Sequence, residues 1–262
     1  MKTFEFFGPP GAGKTFLYQA MVTRPEMRRV AVPRQQQIES ALINGFGRPG
    51  LRSLLGVSLR LRGLGPMIRH HLVSRGSTMY MDDYLQSLGP FVQTGLNLAT
   101  IPGRSEARLI YGLELFFNHL KASAVIEKWA PGLSSLTDEG VCQKVFGLIP
   151  WSMDHSPDVG RYFETVPEPS GVIHVTSDAA TIRKNIERRA YETGRRINAH
   201  RTNSVNELCE VVQASIDLAS EGVRILQSRG VPTLTISTTG TPDLLDDHLT
   251  KISEFIMKGS RA

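Results

Sequence analysis

The stretch that most narrows the fold is "FEFFGPPGAGKTFLYQAM", Phe4 to Met21. The apolar and aromatic run "KTFEFF" ends at Gly8 and reads as a buried strand. A glycine-rich loop follows, and a helix can run from Lys14 to about Val22. The loop, "GPPGAGKT", fits G-x-x-x-x-G-K-[ST]. Gly8, Gly11 and Gly13 let the backbone bend around an anion and turn amide groups inward. The helix beginning near Lys14 adds the positive end of its dipole. The whole segment Gly8, Pro9, Pro10, Gly11, Ala12, Gly13, Lys14 and Thr15 is therefore expected to hold a nucleotide triphosphate such as ATP. Lys14 would reach the outer phosphates and the Thr15 hydroxyl would bind Mg²⁺. The loop does not say what is done with the phosphate.

The rest of the chain supplies the frame. "RRVAVPR" is a second strand whose length Pro33 limits. Residues 35–103 are rich in Gly and Leu and are expected to form a helical insertion of several short helices with loops. Leu109, Leu113, Phe116, Phe117, Leu120 and Ala124 recur at helical spacing, which predicts a long amphipathic helix from Ser105 to Trp129. "PGLSSLTDEG" ends it and supplies a short strand, and "SGVIHVTSD" is another. Ala179, Ile182, Ile186 and Ala190 predict a helix from about Asp178 to Glu192, capped by Ser177 or Asp178. A further helix is expected from about Ser204 to Ser228, closed by Gly230. "VPTLTIS" is the last strand and "PDLLDDHLTKISEFIMK" the closing helix. Strands alternating with helices predict an α/β fold with a mostly parallel sheet covered on both faces. No repeat or linker divides the chain, so a single domain spanning residues 1–262 is expected.

Composition excludes little but directs attention. No apolar run approaches the length of a membrane span, and the N-terminus lacks the pattern of a signal peptide, so a cytoplasmic location is expected. The two cysteines, Cys142 and Cys209, sit in no metal-binding spacing and are expected to be reduced and buried. Net charge is +5, and from Arg24 to Arg75 ten arginines stand against two acids, Glu26 and Glu39. Such a stretch suits nucleic acid, an anionic membrane surface, a phosphorylated ligand or plain solvated surface. "LRSLLGVSLRLRGLGPMIRHHLV" could form a basic amphipathic helix, although three glycines and a proline argue against one long helix.

Two further segments bear on the phosphate. In "LSSLTDEGV", Asp138 closes an apolar run and is followed by Glu139 and Gly140. Asp138 at a strand end would hold Mg²⁺ directly or through water, and Glu139 could take a proton from an attacking hydroxyl; the same residues also suit a helix cap. "TSDAATIRKNIERRAYETGRRINAHR" carries Arg183, Lys184, Arg188, Arg189, Arg195, Arg196 and Arg201, a candidate lid over residues 178–201. Its arginines, Arg189 foremost, would neutralise charge developing in transfer; Arg183–Glu187 and Arg188–Glu192 could instead be local pairs. Candidate substrate contacts are Asp82, Asp83 and Tyr84 in "YMDDYLQ", Arg104 at the head of the long helix, and Arg161, Tyr162 and Glu164 in "RYFETVPEP"; each also suits a cap, a core aromatic or a surface charge.

This order of parts resembles the P-loop kinases, in particular the thymidylate kinase and deoxynucleoside kinase branch. The resemblance covers most of the chain as layout, with "GPPGAGKT" as its one specific motif. It implies a three-layer P-loop NTPase fold, ATP and Mg²⁺ as donor and cofactor, an arginine-rich lid, and a small-molecule acceptor with a hydroxyl or phosphate. It also implies an acceptor walled by the helical middle and adenine packed against the lid and the "STTGTP" loop. "DEG" stands where that branch usually has Asp-Arg or Glu-Arg. The guanine motif Asn-Lys-x-Asp and the transporter signature Leu-Ser-Gly-Gly are absent from the sequence. The alternative is a regulatory or mechanical ATPase acting with a protein, nucleic-acid or membrane partner through residues 48–75. A homodimer is compatible with either reading.

Overall fold

The structure, a computed structural model, describes residues 2–27, 30–101, 106–130, 132, 134–149, 156–193, 204–239 and 244–261. Five short strands, β1 (Thr3–Phe7), β2 (Val32–Pro33), β3 (Ser135–Thr137), β4 (Gly171–Thr176) and β5 (Thr233–Ser237), form one parallel sheet in the order β2-β3-β1-β4-β5. The chain leaves β1 for the edge strand β2, returns to β3, then crosses β1 to reach β4 and β5. In open parallel sheets such a reversal opens a crevice beyond the carboxyl ends of the strands.

Side chains alternate across the sheet because successive residues of a strand point to opposite faces. On one face Phe4, Phe6, Ile173, Val175 and Ile236 pack with Leu17 and Met21 of α1 (Lys14–Thr23), Ile182 and Ile186 of α10 (Ala179–Thr193), and Leu249, Ile252 and Ile256 of α12 (Leu245–Arg261). On the other, Phe7 and Val172 meet α6 (Gly89–Thr100), α7 (Glu106–Trp129), α8 (Val145–Leu148), α9 (Ser156–Thr165) and α11 (Val205–Ser228). Helices thus cover both faces. Phe4 and Phe6 are fully buried, and truncating either to Ala would cost about 3–5 kcal/mol.

A third core lies off the sheet. Ala41 and Leu42 of α2 (Arg34–Phe46), Leu59 of α3 (Arg52–Arg60), and Val125, Ile126 and Ala130 at the end of α7 gather with Trp129, Ile68 and Leu72, the last two on α4 (Leu64–Thr78). With α5 (Met81–Ser87) these helices form the middle of the chain, the several short helices expected there. The basic stretch is two helices, broken at Gly63, whose φ of 83° favours glycine.

The long helices follow their sequence signals. Asp178 caps α10, accepting from the Thr181 amide at 2.8 Å, and Ser204 caps α11, accepting from the Glu207 amide at 3.1 Å. Gly230 takes a φ of 84° just past the end of α11. β2 has only two residues, as Pro33 predicts. One expectation is corrected: Cys142 is buried, but Cys209 is exposed, on the outer side of α11. No helix among the described residues is long and apolar enough to cross a membrane.

Candidate functional site

The loop from Gly8 to Thr15 joins the carboxyl end of β1 to α1. Gly8, Gly11 and Gly13 take φ values of 149°, 92° and 90°, a region that side chains disfavour. A Cβ on Gly8 would stand 2.0 Å from the Val175 carbonyl oxygen, so the loop needs glycine there twice over. Gly13 caps α1 without any side-chain bond, and no acid occupies the first turn, so the positive end of the helix faces the loop uncompensated. Neighbours brace the loop on two sides. The Asn185 amide of α10 donates to the Gly11 carbonyl at 3.0 Å, and the Thr238 hydroxyl, just beyond β5, donates to the Ala12 carbonyl at 2.9 Å.

Lys14 is buried, and its ammonium donates to the carbonyl oxygens of Gly8 (2.8 Å) and Pro9 (2.9 Å). Burial pulls its pKa down from 10.5 to about 8, although Glu139 and Asp138 pull it back up. His174 of β4 is held neutral, lowered to about 4 by burial and by the charge of Lys14. Its Nε2 is buried without a partner among the described residues.

Asp138 directly follows β3, whose Thr137 lies beside Glu5 of β1. It therefore stands next to the loop at the strand ends, close to the Thr15 side chain, which favours its charged form. Burial raises its pKa from the ordinary aspartate value, and Glu139 adds to the rise; Thr15, Lys14 and Lys144 oppose it. One oxygen, Oδ1, is buried and has no partner among the described residues. Such an orphaned oxygen is costly unless something meets it. Among the described residues no group of three or more His, Cys, Asp or Glu gathers to cage a metal. Mg²⁺ suits this donor set nevertheless, because it keeps several waters and leans on one or two carboxylates plus substrate phosphates. Thr15 and Asp138 are the residues that would hold it.

Glu139 turns outward. It accepts from the Lys144 ammonium at 3.3 Å and its side chain is 60% exposed. The buried carboxylate here is instead Glu5, inside the apolar strand β1. It accepts from the Val141 and Cys142 amides, both at 3.1 Å. A Cβ on Gly140 would meet its carboxyl carbon at 2.0 Å. Burial raises its pKa while those amides and Arg34 lower it. Gln143 completes the tie, its Oε1 accepting from the Gly8 amide at 3.3 Å. The acid-bearing loop is thus fastened to the strand that carries the phosphate loop.

A second unexpected residue is Arg34, at the carboxyl end of β2. Its guanidinium donates to the Ser123 hydroxyl (2.7 Å) and the His119 carbonyl (3.2 Å) of α7. Burial lowers its pKa, and Glu5 and Tyr84 offset part of that. Tyr84, from the "YMDDYLQ" segment, lies by Ser123, and burial raises its pKa. His119 is kept neutral, first by burial and then by Arg34 and Lys144. Lys144, His119, Arg34 and Tyr84 thus lie within electrostatic reach of one another between the acid-bearing loop and the helical middle.

The remaining expected residues fall as follows. On α10, Ile182, Asn185, Ile186 and Arg189 share one stripe by helical spacing, and the first three touch Gly11. Arg189 is exposed at the end of that stripe. Arg183 pairs with Glu187 at 3.9 Å and Arg188 with Glu192 at 4.0 Å. Arg195, Arg196 and Arg104 lie outside the described residues. Asp82 and Asp83 are exposed in the first turn of α5, where acids suit the helix dipole. Arg161 is on the outer side of α9, whose Val159, Tyr162 and Phe163 fill the core. No protein-family model matches the chain, and no curated protein is significantly similar to it.

Proposed function

We propose that this chain has the P-loop NTPase fold of a kinase and transfers the terminal phosphoryl group of ATP to a small-molecule acceptor with the help of Mg²⁺. The observation that carries this reading is the meeting of Thr15 and Asp138 beside Lys14, at the carboxyl ends of adjacent strands, with one Asp138 oxygen buried and unmet. Thr15 and Asp138 would hold Mg²⁺, which would supply positive charge against the charge developing on the phosphates. Lys14 leaves the Gly8 and Pro9 carbonyls for the phosphates, and the loop amides and the end of α1 hold the polyphosphate. Arg189, on the stripe of α10 that touches the loop, closes over the transferring group.

The charges of Arg34 and Lys144, within reach of neutral His119, favour an acceptor with a negative group. An acceptor phosphate or carboxylate oxygen attacks the terminal phosphorus as the bond to the bridging oxygen breaks, and ADP leaves. Such an oxygen carries no proton to remove, in keeping with an outward Glu139. Incubation of a metabolite extract with protein, ATP and Mg²⁺, followed by mass spectrometry, should reveal one product heavier by a phosphoryl group. ATP hydrolysis stimulated by nucleic acid, protein or vesicles, with no phosphorylated product, would sink the reading in favour of a partner-driven ATPase.

A further inference from the structure

We propose that the α3–α4 hairpin docks on a bilayer surface bearing anionic headgroups. Helix α3 is apolar on two sides. Leu55 and Leu59 pack inward on the helical middle. Leu51, Leu54, Val57 and Leu61, spaced three or four residues apart, form a second stripe that faces solvent. Across the turn Leu64 and Met67 begin the outer side of α4 and are exposed as well. Leu54 is 63% and Met67 64% exposed, where a folded protein ordinarily scatters such side chains singly. The two bends of the hairpin are open to solvent, since a Cβ added at Gly50 or Gly63 would meet nothing within 4 Å.

Charge selects the occupant. No Asp or Glu lies between Glu39 and Asp82. Arg48, Arg52, Arg60, Arg62 and Arg75 are exposed around the stripe, and in this segment only Arg69 pairs with a carboxylate among the described residues, that of Glu39. An apolar ridge rimmed by arginines fits the interface of an anionic bilayer, with the leucines below the headgroups and the guanidinium groups reaching back to them. Nucleic acid would leave the leucines unmatched, and the stripe offers no aromatic ring for a base to stack on. The same lack of Trp, Tyr and Phe disfavours a protein partner, whose anchors are aromatic. A two-fold dimer through this face would set arginines against arginines. The surface is separate from the phosphate loop, so the proposal holds whatever the acceptor is.

Sedimentation with phosphatidylcholine vesicles, with and without phosphatidylglycerol, tests it. The wild-type chain should pellet with the anionic vesicles alone and be released as salt rises. Arg60→Glu with Arg62→Glu should weaken partitioning about tenfold or more, and Leu54→Glu with Met67→Glu should abolish it. All four side chains are exposed, so melting temperature should not move, which separates lost docking from lost folding. No binding to anionic vesicles overturns the proposal. So does binding that the Leu54→Glu, Met67→Glu variant retains, which would reduce the contact to charge alone. A wild-type dimer that the same variant splits, seen by light scattering, would assign the face to a second copy instead.

Discussion

Lys14 offers the sharpest test, because its charge is balanced near working pH. Burial lowers its pKa from 10.5 to about 8 in the chain by itself. A polyphosphate replaces the two carbonyl partners with anions and should return the lysine toward its ordinary value. At pH 8 about half of the lysines are neutral, so binding should draw about half a proton per site from the buffer; at pH 9 the uptake should be about nine-tenths. Affinity should then fall by up to about tenfold per pH unit above 8. Its ceiling is set by the 2.5-unit shift, about 3 kcal/mol. Stability has the opposite trend. Between about pH 8 and 10.5 the unfolded chain binds the extra proton, so the contribution of Lys14 to stability rises with pH; below 8 the penalty for burying its charge is constant. Isothermal titration with Mg²⁺ and a non-hydrolysable ATP analogue, in two buffers of unlike ionisation heat, measures the uptake directly. An affinity that stays flat from pH 7 to 9.5, with heats independent of buffer, would refute the reasoning.

The acid loop supplies the other tests. Asp138→Asn should lower turnover by about a hundredfold or more while leaving Mg-free nucleotide binding intact, read by a coupled ADP assay beside equilibrium binding. Glu139→Gln should change turnover less than about threefold, because an exposed pair with Lys144 contributes little; a loss as large as that of Asp138→Asn would restore Glu139 as a base. Gly140→Ala should push the Glu5 carboxylate off its two amides, costing about 3 kcal/mol and roughly 6–10 °C in Tm by scanning calorimetry.

What the sequence revealed depended on how local the signal was. The helices around Phe116, Ile186 and Leu226 were legible because one face of each is buried by the sheet, so apolar residues recur at the helical period. The α3–α4 region was not, because its leucines serve two sides at once and no single stripe stands out. In the site, Lys14, Thr15 and Asp138 lie in short motifs whose spacing carries the chemistry. Arg34 and Glu5 do not. Arg34 looked like the end of a strand because the partners that define it, His119 and Ser123, are more than eighty residues away on α7. Glu5 looked like a polar interruption in "FEFF" because the amides it binds belong to the turn after β3.

The anchoring of that turn on Glu5 has a wider consequence. The lysine-bearing loop and the post for the aspartate-bearing loop both belong to β1, three residues apart, so the gap between the two chemical groups is gauged by one short strand of covalent backbone. Repacking of the helical middle then leaves that gauge untouched. The residues around Arg34 and His119 can therefore change, or be lost, while Lys14 and Asp138 keep their spacing.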